Sequence, residues 1–159
     1  MTTYLRSSAL AVGLLVGVTS LAAAQAQQTV TFEVQAINEI AVSGDPAPLV
    51  ITAATAGQQP ASVSDNSTTY SITTNESGKS IQAALDAAMP PGLTLTIQLA
   101  APTGASSVGP VDLTTTAQNL VTGVSTVAES GLGITYTLSA TLSAGAVPQQ
   151  TRTVTLTIN

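Results

Sequence analysis

Apolar and polar residues alternate along most of the chain, and alternation over about 4–8 residues marks a half-buried strand. Val30, Phe32, Val34 and Ala36 alternate with Thr29, Thr31, Glu33 and Gln35, and the phase resumes at Ile40 and Val42. Shorter alternations place strands at Leu49 and Ile51, at Tyr70 and Ile72, and at Ile81, Ala83 and Leu85. Leu93, Leu95, Ile97 and Leu99 alternate cleanly against Thr94, Thr96 and Gln98. Val111 and Leu113 make a short strand, and Leu120 to Val124 a less regular one. Ile134, Tyr136, Leu138, Ala140 and Leu142 form the longest, and Val154, Leu156 and Ile158 the last. The pattern predicts about nine short strands.

Glycine and proline punctuate the intervals: Gly44-Asp45-Pro46, Gly57 to Pro60, Asn75 to Gly78, Pro90-Pro91-Gly92, Pro102-Thr103-Gly104, Gly109-Pro110, Gly131 and Gly145 to Pro148. Short strands at such spacing predict an all-β fold, a single antiparallel sandwich of immunoglobulin-like or jelly-roll-like type. Ser80 to Met89 is the exception, since its Ala, Leu and Met favour helix. A strand to Leu85 is expected there, with at most a helical turn before Pro90. No period of about 20–50 residues repeats, which argues against a solenoid or propeller.

The first residues read differently. Arg6 precedes an apolar run from Ala9 to Val18, and small-x-small sites follow at Ala22 to Ala24 and Ala24 to Ala26. This is the layout of a secretory signal peptide. Its apolar core is shorter than the roughly 20 residues that span a bilayer. The expectation is a leader over 1–26 and one domain over 27–159, exported to the cell surface or beyond, or retained in a periplasm. No membrane span is expected after cleavage.

Composition removes most chemistry. The chain of 159 residues has no His, Cys or Trp, with 3 basic and 8 acidic residues. Disulfides, thiol chemistry and His-based acid–base work are excluded. After residue 26 only Lys79 and Arg152 are cationic, so no nucleic-acid footprint exists. Lys79 and Ser80 are neighbours, and on a strand neighbours face opposite sides, so they cannot act as a nucleophile and base. Glu33, Glu39, Asp45, Asp65, Glu76, Asp86, Asp112 and Glu129 are scattered singly. That pattern does not suit the paired carboxylates of glycoside hydrolysis. No enzymatic activity and no cofactor are expected.

Two weaker signals remain. Asp65-Asn66-Ser67 could contribute to a calcium loop with Asp45 and Asp112, although an Asx-type turn explains it as well. Asn66 and Asn75 each head an N-x-[ST] glycosylation pattern.

An alternating strand TVTFEV (Thr29 to Val34) stands just after the cleavage sites, and another, RTVTLTI (Arg152 to Ile158), runs to the end. In this layout the chain resembles the small secreted β-sandwich proteins of bacterial surfaces and filaments, pilin-like or spore-coat-like. The resemblance implies a structural role, with self-assembly into a homo-oligomer or filament. It includes no specific motif and transfers no functional residue. The disulfide of many chaperone-assembled pilins is missing. The candidate subunit-pairing strand is Thr29 to Ala36, through Val30, Phe32, Val34 and Ala36. An ordinary first strand in its own sheet is the competing reading. A monomeric adhesion module for a surface glycan or protein partner is the alternative function.

Overall fold

A computed structural model of the chain describes residues 25–159. The expected leader therefore lies outside the described residues, apart from Gln25 and Ala26. The chain divides after Glu33 into two units, and the second, Val34–Asn159, is the β domain. Of the first unit the described part, 25–33, contains no helix or strand.

The domain is a sandwich of two antiparallel sheets. Its strands are β1 (Asn38–Val42), β2 (Val63–Asp65), β3 (Thr69–Thr74), β4 (Lys79–Leu85), β5 (Leu93–Leu99), β6 (Ser106–Ser107), β7 (Val111–Asp112), β8 (Gln118–Val124), β9 (Val127–Ala140) and β10 (Val154–Ile158). One sheet has the order β1-β3-β9-β5-β7, with β2 also paired to β9, and the other has the order β10-β4-β8-β6. Every pairing is antiparallel.

The alternating residues meet between the sheets. Tyr70, Ile72, Ile97, Leu99, Ile134 and Tyr136 come from one side, and Ile81, Ala83, Leu85, Leu120, Val121 and Val124 from the other. Burying each large aliphatic side chain contributes roughly 1.5–3 kcal/mol, so this layer is the main source of stability in a chain without disulfides. The Tyr70 hydroxyl donates to the Ala100 carbonyl oxygen, which satisfies the ring's one polar atom.

Several expectations are corrected. Thr29 to Ala36 is not a strand, and it enters no ladder. Alternation gives a segment two faces but supplies no partner strand, and an exposed backbone without one bonds to water instead of to a ladder. Leu49 and Ile51 also lie outside any strand; only an isolated bridge, Ala54 to Pro60, forms nearby. Leu113 is buried beyond the end of the two-residue β7. Leu142 falls in a short 3₁₀ turn, Leu142–Ala144, rather than in the long strand. The strand expected to Leu85 does end there, and no helical turn follows it before Pro90.

Gly131 was expected to end a strand but lies inside β9. The register passes from Tyr70↔Leu132 to Ile72↔Glu129, so β9 carries an extra residue there. Gly131 has φ 72°, the left-handed conformation that such a bulge commonly needs. Bulges also explain β8: the register runs Lys79↔Val124, Ile81↔Val121, Gln82↔Asn119. The insertions turn both Leu120 and Val121 inward and break the alternation.

Candidate functional site

Val30, Phe32 and Val34 are 75%, 88% and 79% exposed, and Ala36 is exposed too. Isolated surface apolar residues are ordinary, but here three large ones recur at period two in the sequence, the spacing that shares one face once a segment pairs as a strand. The only Phe of the chain is therefore outside the core.

The domain holds the base of this segment by polar contacts. Asn75, just past β3, donates from Nδ2 to the Gln35 carbonyl oxygen at 2.8 Å. Its Oδ1 accepts from the Ile37 amide at 2.8 Å. A side-chain amide bonded in this way replaces one rung of a ladder. Next to it, Asn38 Nδ2 donates to Glu76, and Thr74 Oγ1 donates to Asn38 Oδ1 at 2.7 Å. Lys79 reaches Glu76 at 2.9 Å. The hydrogen bond from Asn38, followed by that from Lys79, lowers the Glu76 pKa below the usual carboxylate range. Asn75 was singled out as a glycosylation acceptor; its role in fixing the chain before β1 was not visible in the sequence. Asn66, the other acceptor, is exposed in the turn between β2 and β3.

The two margins of the sandwich differ. On one side the sheets end in β7 and β6, each of two residues, joined through Gly109-Pro110. Short strands and proline blunt an edge. On the other side the sheets end in β1 and β10, each five residues long. Their Cα atoms approach within 8 Å, yet among the described residues each strand is paired on one side only. Between them runs a groove of about 250 Å³ lined by Ile40, Ala41, Val42, Val154, Thr155 and Leu156.

The residues weighed for chemistry stay apart. The Asp65 carboxylate accepts from the Ser67 hydroxyl at 2.8 Å and from its amide at 3.3 Å, an Asx-type turn. Asp112 accepts from Thr96 Oγ1 at 2.8 Å. Glu129 accepts from the Thr103 amide at 2.9 Å. Asp86 accepts from the Thr153 amide at 3.0 Å. Among the described residues no three acidic side chains gather where they could hold a metal ion. Lys79 is engaged by Glu76 rather than by Ser80. Burial, with the nearby charge of Glu129, pushes the Tyr70 hydroxyl up to about 12, a consequence of packing.

No protein-family model matches the chain, and neither a curated protein nor a solved structure does.

Proposed function

We propose that the protein is an exported structural subunit that assembles with copies of itself at the cell surface or in the extracellular matrix. Its Thr29 to Ala36 segment pairs with a neighbouring subunit. One observation carries the reading: an alternating apolar segment containing the chain's only Phe stands exposed and outside every ladder. Extended segments of this kind add to sheet edges, with backbone bonds giving affinity and alternate side chains giving specificity. The low charge of the chain, 7% against about 25% in ordinary domains, supports association further.

The test compares the chain starting at Gln25 with one starting at Val34, by sedimentation over a range of concentrations. Among the described residues the core and the side chains packed against it include none before Ile40, so both forms are expected to fold. The longer form is expected to form oligomers and the shorter to stay monomeric. If the longer form were monomeric at high concentration, the adhesion-module reading would replace this one. If both assembled alike, the segment would have no part in assembly.

A further inference from the structure

Resting on the assembly reading above, we propose that the free edge of β10 is the docking site for the Thr29 to Ala36 segment of a second copy of this chain. Val30, Phe32 and Val34 of that copy fill the groove between β10 and β1.

The occupant follows from chain geometry. Only Ile37 separates Ala36 from Asn38, the first residue of β1. The commonest antiparallel hairpin loop has about two residues, and a parallel return needs a crossover of about a dozen. Asn75 fixes the backbone on both sides of this point, at Gln35 and Ile37. The chain thus has no loop to bring the segment back along its own margin, and a second copy supplies it without one.

The choice of edge follows from burial and charge. In β4 the inward residues Ile81, Ala83 and Leu85 are all buried, whereas their β10 partners Ile158, Leu156 and Val154 are only half-buried. A strand added beside β10 would lay its apolar side chains over that half-covered row. Outward residues Thr155 and Thr157 are uncharged and exposed. On β1 the outward row includes the exposed Glu39. The segment carries Glu33 on its polar face, and like charges on adjacent strands are destabilising. The edge of β10 accepts Glu33 without that conflict. It also has no Pro or Lys within Val154–Ile158, the residues that usually guard an edge.

The chain has no cysteine, so introduced cysteines report pairing without background. Protein carrying Thr31→Cys is mixed, in turn, with protein carrying Thr153→Cys, Thr155→Cys, Thr157→Cys or, on β1, Ala41→Cys. After mild oxidation, mixed disulfides are identified by mass spectrometry. Opposite residues on paired strands lie within disulfide reach, so at least one β10 position is expected to cross-link to Thr31→Cys and the Ala41→Cys protein is not. Cross-linking to Ala41→Cys alone would overturn the β10 assignment. So would the absence of any cross-link from proteins that still assemble through the segment. In both cases the assembly reading survives. That reading falls separately, if the chain starting at Val34 assembles as the longer chain does.

Discussion

Phe32 separates folding from assembly more sharply than any other residue. In a core, truncating Phe to Ala costs about 3–5 kcal/mol, from lost burial and the cavity left behind. Phe32 is 88% exposed, so Phe32→Ala leaves the monomer's unfolding free energy within about 0.5 kcal/mol of the parent. In an assembly the same ring would be buried, contributing roughly 1.5–3 kcal/mol. At about 1.4 kcal/mol per tenfold, Phe32→Ala weakens subunit association about 10- to 150-fold. Phe32→Asp weakens it more, because a carboxylate is driven into an apolar groove. Urea titration followed by circular dichroism, at concentrations where the protein is monomeric, gives the first quantity. A sedimentation dilution series gives the second. A monomer destabilised by about 3 kcal/mol would place the ring in its own core and refute the reasoning. Unchanged stability with unchanged association would remove the segment from assembly.

Gly92 has φ 82°, and a Cβ there would lie 2.8 Å from the Ala144 backbone nitrogen and 2.9 Å from Thr141 Oγ1. Gly92→Ala should therefore destabilise by about 2–4 kcal/mol in urea titration, and Gly57→Ala, with φ 85° but open space around it, by only about 1–2 kcal/mol. Thr126, a β-branched residue at φ 39°, is strained in the β8–β9 turn, and Thr126→Asn should raise stability by about 0.5–1 kcal/mol. Tyr70 is protonated in the fold up to about pH 12 but ionises near 10 once unfolded. Its contribution is complete below pH 10 and falls as pH rises toward 12, by about 2 kcal/mol, with Tyr136 shifted the same way by burial and by Asp45. Denaturation at pH 9, 10, 11 and 12 checks the loss, and Tyr70→Phe should reduce its size.

The sandwich was legible because several of its strands, β4, β5 and β10 among them, keep period two from end to end. Leu93 to Leu99 and Val154 to Ile158 appear where the alternation puts them. The misses have distinct physical causes. Val63–Asp65 and Ser106–Ser107 are too short and too polar to show a pattern, and they exist because β9 and β8 offer them partners. The Gly131 bulge hid the first half of β9, since a glycine that ends one strand and a glycine that bends another look alike in sequence. Thr29 to Ala36 failed in the opposite direction: its pattern is among the clearest in the chain, yet pairing is a property of two strands. For the candidate site, Val30, Phe32 and Val34 were visible from alternation. The Asn75 clamp and the β1–β10 groove were not, because each joins residues far apart in the chain.

The location of the core gives the assembly model an order of events. Among the described residues, all buried apolar ones lie between Tyr70 and Tyr136, and the half-buried ones packed against them begin at Ile40. None of that layer depends on Phe32, so the domain can close before the segment finds a partner. Such a subunit is exposed on two counts during the interval, by its apolar segment and by the free edge of β10. The two exposures are complementary, one an alternating strand without a ladder and the other a ladder without its next strand. Association that satisfies both in one step removes two liabilities at once, and it leaves the new subunit's own segment or edge open for the next copy. A head-to-tail contact of this kind extends indefinitely unless its rotation closes a ring. Fibres or closed rings, the smallest ring being a dimer that exchanges segments reciprocally, are therefore the assemblies expected by electron microscopy of the chain starting at Gln25. A closed two-fold dimer burying a different surface would show that neither exposed feature governs association.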